Sequence, residues 1–279
     1  MPDTAVATGP SLRYAHRGDT SLAMHSWGEG PGELIYVHGL QSHGGWLAET
    51  GPALARRGVR VLVPDRRGSG RSGGLRGHVP DATTLLDDYA EILAQTAASA
   101  REPVTVLGQS FGGSVLAALV ATGRVPAGTR IAFCAPALGQ QRARLDGPAR
   151  SWARHRTGTA YSVISLEDQQ YTTLPRYLRS LANDGLMVRM LTDSFRAVMV
   201  ELEDLYLTAG PEPWAGHPVH VALPEQDPVI DLGASLEVLA ELAPQARIQR
   251  FETTSHYVEF TGVRHAYWDW LAEVVHARL

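Results

Sequence analysis

Three residues that together could make an acyl-transfer nucleophile stand far apart in this chain, each just past a β-branched, apolar run. Ser110 lies in Gly108-Gln-Ser-Phe-Gly112, after Val104–Leu107 and before the helix-competent Ser114–Ala121. Asp227 follows Val219–Leu223 in Pro224-Glu-Gln-Asp-Pro-Val-Ile230, and His256 follows Ile248–Phe251 in Thr253-Thr-Ser-His-Tyr257. A serine hydroxyl needs a base to take its proton, and the base needs an acid to orient it. The chain order serine, aspartate, histidine is one of three in which such a set recurs. A strand, a sharp turn and a helix around Ser110 would push Oγ outward, and glycines two residues either side remove the side chains that would collide there. The helix would aim its positive N-terminal end at a developing oxyanion. The acid is specified less sharply: Glu225 and Asp231 are nearby, and an Asp before Pro is also a turn former.

An oxyanion needs donors, and His38-Gly-Leu-Gln-Ser-His-Gly-Gly45 follows the strand run Leu34–Val37 where one would be expected. Its donor would be the Leu40 N–H, with the Phe111 N–H as the second. His38 and His43 have no carboxylate or cysteine at ligand spacing, so no metal is expected and His38 reads as a hydrogen-bonding loop residue. The pattern Gly-x-Ser-x-Gly occurs again at Gly70–Gly74, and Gly68–Gly73 fits a dinucleotide fingerprint. Neither has the context. Pro64-Asp-Arg-Arg67 separates the strand run Val59–Val63 from the first glycine, and Gly74, Gly77 and Pro80 cannot open a helix at once.

The elements that must position these residues alternate between strand and helix, the signature of a mostly parallel sheet with helices on both faces. An antiparallel pair, Ser11–His16 and Ser21–Trp27, leads. Helices are expected over about 45–57, from the cap Asp81 to about Ala98, and at the C-terminus on Tyr267, Trp270, Leu271, Val274 and Val275. The rhythm breaks between about 139 and 216. There, Leu174, Leu178 and Leu181 form one helical stripe and Leu186 to Leu207 a second helix with Met187, Met190, Phe195 and Met199. This divides the chain into a core of residues 1–138 and 217–279 and a helical cap of 139–216 inserted after the sixth strand, over the carboxyl edge where such sheets bind ligands.

At 279 residues, 44% hydrophobic and 19% charged, the chain suits one large globular domain with an insertion. A net charge of −4 without a basic cluster excludes a nucleic-acid partner as an expectation. All 25 basic residues are arginine, which removes any lysine Schiff base. Cys134 is the single cysteine, so no internal disulfide can form. The first ten residues lack the charged start and apolar core of a signal peptide, and no run is long enough to span a bilayer. A cytoplasmic protein without stable membrane insertion is expected.

The pieces Tyr36-Val-His-Gly-Leu40, Ser42–Trp46, Pro64–Gly73, Arg76-Gly-His-Val79 and Gly108–Gly112 resemble the monoacylglycerol lipase and lysophospholipase group of α/β-hydrolases, within the serine aminopeptidase S33 type. Tyr171–Phe195, with Asn183-Asp-Gly-Leu186, resembles that group's lid. The resemblance implies the α/β-hydrolase fold, an ester substrate, no cofactor, and the acid and base at Asp227 and His256. Gln109 stands where the group usually has His and Phe111 where it commonly has Met; residues flanking the nucleophile shape the acyl pocket. Gln109, His38, Met187, Met190 and Phe195 are the candidate pocket residues. Thioester hydrolysis, acyl transfer or lactone chemistry would use the same three residues, and a ligand receptor or a lyase is a more distant use of this fold.

Overall fold

The computed structural model describes residues 9–277. The reading of the first ten residues as free of a secretion signal therefore lies largely outside the described residues. The chain opens with a hairpin in which β1 (Ser11–Arg17) and β2 (Thr20–Trp27) pair antiparallel, turning through Gly18-Asp19 with Gly18 at φ +58°. Then come β3 (Gly32–Val37), α1 (Thr50–Ala55), β4 (Val59–Pro64), α2 (Ala82–Ser99), β5 (Thr105–Gln109), α3 (Phe111–Ala121) and β6 (Arg130–Cys134). A long connection follows with α4 (Gln140–Arg144), α5 (Gly147–Arg154), β7 (Tyr161–Val163), α6 (Asp168–Tyr171), α7 (Pro175–Ala182), β8 (Met190–Thr192) and α8 (Asp193–Ala209). The chain closes with β9 (Val219–Pro224), α9 (Leu232–Leu242), β10 (Arg247–Phe251) and α10 (Arg264–His276).

Eight strands form one sheet in the order β1-β2-β4-β3-β5-β6-β9-β10, parallel from β4 through β10. Strands β3, β5, β6 and β9 are buried along their whole length, which is why they read as continuous apolar runs rather than alternating ones. Alternation sorts their side chains between two cores. Ile35, Val37, Val106, Ile131, Phe133 and Val221 face the core of α2, α3, α8 and α9, whereas Leu34, Tyr36, Leu107, Ala132 and Ala222 face that of α1 and α10. The expected α/β-hydrolase sheet with helices on both faces is present. Asp81 caps α2 by accepting from the Thr84 N–H at 2.6 Å. Among the described residues no helix is long and apolar enough to cross a membrane.

Two local expectations need correction. The stretch 45–57 is not one helix but a 3-10 turn over Gly44–Ala48 and then α1, because Leu47 leaves helical geometry (φ −86°, ψ 19°). The helix placed over 186–207 begins only at Asp193, and Met190–Thr192 instead pairs with Tyr161–Val163 as a strand. Backbone N–H groups that a helix would use internally go elsewhere. Leu186 donates to Asp184 Oδ1, Val188 to the Gln41 carbonyl and Thr192 to the Gly77 carbonyl. Thr192 then caps the helix through the Phe195 N–H. Once started, α8 is part of the main core: Phe195, Val198, Leu202 and Tyr206 pack with the sheet and α3.

Candidate active site

Ser110 joins the end of β5 to the start of α3 at φ +52° and ψ −119°, a backbone conformation that costs a non-glycine residue roughly 1–3 kcal/mol. The surroundings hold it there. The Ser110 N–H donates to the Cys134 carbonyl at 3.0 Å, and the Ser110 carbonyl accepts from Gly113 at 2.8 Å and Ala137 at 2.9 Å. The flanking glycines are required by contact: a Cβ on Gly112 would lie 2.0 Å from the Val37 carbonyl oxygen, and one on Gly108 2.6 Å from that of Gly112.

Asp227 and His256, 29 residues apart in sequence, meet in a buried pair with Nδ1 to Oδ2 at 2.7 Å. The other oxygen, Oδ1, accepts from the Val229 and Ile230 N–H groups, so three donors fix the carboxylate. An ionised carboxylate only accepts, which makes Nδ1 the protonated ring atom and leaves a lone pair on Nε2. That Nε2 is buried and has no partner among the described residues. The rival acids are otherwise occupied: Asp231 caps α9 through the Ala234 N–H, and Glu225 is exposed. Helix α6 braces both loops. Its Gln170 carbonyl accepts from the His256 N–H at 3.0 Å, and the Gln170 side chain donates to the Pro228 carbonyl at 2.8 Å.

The loop after β3 passes over Ser110, close enough that a Cβ on Gly39 would lie 3.5 Å from Ser110 Cβ and 2.6 Å from the Tyr257 hydroxyl. Neither the Leu40 nor the Phe111 N–H donates to another group among the described residues. His38 lies beneath the loop. Its Nε2 accepts from the Arg66 N–H at 2.9 Å, so its proton is on Nδ1, which donates to the Gly39 carbonyl at 2.9 Å. Burial, helped by the nearby Arg66 charge, drops the His38 pKa to about 3 and keeps the ring neutral. The Arg66 guanidinium donates to the same Gly39 carbonyl and to that of Leu40, at 3.2 and 2.7 Å. It is sandwiched against the Phe111 and Phe195 rings. Gly39 C=O and Leu40 N–H belong to one peptide unit, so two donors on that oxygen orient and polarise the amide facing the site.

A cavity beside Ser110 is walled by Leu40 and Phe111, by Trp46, Tyr171 and Tyr257, and by Met199 and Glu203 from α8. The five pocket residues expected from sequence do not line it. Gln109 and His38 are buried beneath the loops, Met187 packs in the aromatic cluster of Tyr171, Tyr177 and Phe260, Met190 is exposed on β8, and Phe195 is core. Met187 and Met190 precede α8 because the helix begins only at Asp193, while on α8 itself Met199 and Glu203, one turn apart, face the cavity. Glu203 is fully engaged by Arg150 at 2.6 Å and by the Gln141 and Arg142 N–H groups at the start of α4. His43 is likewise tied up, donating to Asp184 at 3.0 Å. Burial pushes the Asp184 carboxyl up, but the hydrogen bonds from His43 and Trp46 outweigh it and hold the pKa at about 2. Among the described residues no three His, Cys, Asp or Glu side chains converge as a metal site.

The sheet order and the elbow at Ser110 define an α/β-hydrolase. The model of the serine aminopeptidase, S33, family matches residues 29–260, and the chain belongs to that family. A monoacylglycerol lipase from Mycolicibacterium smegmatis is 32% identical over 86 residues, covering 30% of this chain and 31% of that protein. A carbendazim hydrolyzing esterase from Nocardioides sp. is 34% identical over 84 residues, 30% of this chain and 33% of that protein. The matched stretch thus spans about a third of the length of these relatives. Among solved structures, a soluble variant of monoglyceride lipase from Saccharomyces cerevisiae superposes with a TM-score of 0.81 at 16% identity, covering 99% of this chain and 97% of the other. The monoacylglycerol lipase of Paleococcus ferrophilus gives 0.77 at 18% identity over 95% and 98%.

Proposed function

We propose that the chain is a serine hydrolase that cleaves a carboxylic ester through an acyl-enzyme on Ser110. His256, oriented by Asp227, takes the Ser110 proton as Oγ attacks the carbonyl carbon. The Leu40 and Phe111 N–H groups receive the oxyanion. His256 then protonates the departing alcohol, leaving the acyl group on Oγ. A water that gives its proton to His256 attacks that ester, the acid leaves, and the proton returns to Ser110. No step needs a cofactor. Residues 139–216 cover the site, a reading supported by the Tyr171 wall ahead of α8 and by the Met199 and Glu203 walls on α8, the part of this stretch that also packs into the main core. The ester class is monoacylglycerol- or lysophospholipid-like, in keeping with the lipase and esterase names among the relatives.

The observation that carries this reading is the two-sided state of His256: Nδ1 engaged by Asp227 at 2.7 Å, Nε2 buried without a partner. The test is a panel of p-nitrophenyl esters of graded chain length, monoacylglycerols and acyl-CoA thioesters with purified protein. Ester turnover that vanishes in Ser110→Ala supports the proposal. Turnover confined to the thioesters would replace it with thioester chemistry on the same three residues.

A further inference from the structure

The cavity beside Ser110 holds one polar group that the proposed chemistry leaves unused. Gln41 follows the oxyanion donor Leu40 directly, lines the cavity, and is 2% exposed. Its backbone carbonyl is held from outside by the Val188 N–H at 3.0 Å. Its side-chain Oε1 accepts from the Tyr171 hydroxyl, which burial keeps protonated. The amide plane is thereby fixed, and Nε2 is left buried with no partner. Apart from Ser110 itself, the other buried polar side chains around the cavity are satisfied. Ser114 donates to the Ala137 carbonyl at 2.6 Å, Gln140 donates to the Leu138 and Asp231 carbonyls, and Glu203 is saturated as described. Among the described residues that line the cavity, Gln41 is the one besides the proposed nucleophile Ser110 that carries a buried, unpartnered side-chain polar atom.

A buried donor without an acceptor favours a ligand that brings one, and a site built that way rejects the analogue lacking it. We propose that Gln41 Nε2 donates to an oxygen of the substrate close to the scissile carbonyl, so that the enzyme selects esters with a hydroxyl or carbonyl near the bond cut over purely hydrocarbon esters. The oxygen belongs either to the alcohol or to the acyl group. This rests on Ser110 being the nucleophile and adds the chemistry of what it cleaves.

The test uses the full chain and two matched comparisons. Propyl octanoate against 2-hydroxypropyl octanoate puts the oxygen on the alcohol; propyl octanoate against propyl 3-hydroxyoctanoate puts it on the acyl chain. The wild type is expected to favour one oxygenated ester by about tenfold in kcat/KM. In Gln41→Glu and Gln41→Met that ratio falls to near one. Gln41→Glu has the same shape and keeps the acceptor for Tyr171, so it separates loss of the donor from misfolding. No preference in the wild type, or a ratio unchanged in both variants, overturns the proposal. Labelling by a fluorophosphonate reports the underlying reading independently. An unlabelled wild type removes the hydrolase reading and the Gln41 assignment with it, whereas labelling with unchanged ratios removes the Gln41 assignment alone.

Discussion

Ser110 and Ser72 occupy the centres of two identical Gly-x-Ser-x-Gly patterns, and they are equally hidden, at 7% and 8% exposure. Everything else about them differs. Ser72 Oγ donates to the Asp65 carbonyl at 2.6 Å and accepts from the Ala23 N–H at 2.9 Å, so its hydroxyl is spent on holding a loop. Ser110 Oγ has no protein partner among the described residues, and its backbone is strained at a strand-to-helix junction. The glycines also serve different ends. Gly112 lets β3 pass close behind the elbow, whereas Gly70 takes φ +51° and avoids the Asp65 carboxylate, whose Oδ2 would be 2.2 Å from a Cβ. A five-residue pattern carries no reactivity in itself. Backbone strain and an unspent hydroxyl separate the proposed nucleophile from a staple. The staple loop nonetheless serves the site, because Arg66 on it holds the Gly39–Leu40 peptide.

Substituting both serines breaks this comparison most strongly. Ser110→Ala is expected to lower kcat/KM by about 10⁵-fold or more with little change in thermal stability. Ser72→Ala should leave activity within about twofold but cost about 1–3 kcal/mol by orphaning the Ala23 N–H, read by urea denaturation. Equal activity losses in the two variants would erase the distinction. Next in size is Asp227→Asn, which reverses the tautomer of His256 and should cost about 10³- to 10⁴-fold in kcat. Asp231→Asn, at a helix cap, should change only stability.

Arg66→Met sharpens the link between the two loops. It removes both guanidinium bonds to the loop carbonyls, and kcat should fall about tenfold with little change in KM if the Leu40 N–H receives the oxyanion as proposed, since such a donor acts on the transition state. A change confined to KM would show that Arg66 shapes only the pocket. The smallest effect concerns Glu259, beneath the base loop. Burial pushes its carboxyl up to about 7, although the Thr50 and Tyr36 hydroxyls each donate to it at 2.7 Å. The folded state therefore keeps a proton that the unfolded chain releases near the ordinary glutamate value of 4.5. Stability from this group is full below about 4.5 and is lost as the pH rises to about 7, at roughly 1.4 kcal/mol per pH unit. Glu259→Gln should flatten that part of the Tm–pH curve.

The strands, and the strand ends that carry the three proposed site residues, were legible because their signals are local. A fully buried parallel strand must read as an apolar run, and a strained serine needs its glycines at fixed offsets. The proposed acid was narrowed only by geometry, since Asp227, Asp231 and Glu225 are alike in sequence and differ in what they touch. The cavity walls were not legible. Several of them come from elements distant in sequence, and Met187 and Met190 are kept out of α8 by backbone N–H groups that bond elsewhere, Val188 to Gln41 and Thr192 to Gly77. Arg66 and Gln41 left no pattern either, because each acts through contacts with residues distant in sequence. Met199 belonged to the methionine-bearing stretch singled out above, and Glu203, one turn after it, carried only the faint signal of a helical repeat of four.

The central claim is that Ser110, and not its twin, is the nucleophile. Reacting the protein with a fluorophosphonate and mapping the modified peptide by mass spectrometry tests it directly. The label is expected on Ser110 alone, retained in Ser72→Ala and absent from Ser110→Ala. A label on Ser72, or one that persists after Ser110→Ala, would contradict the account.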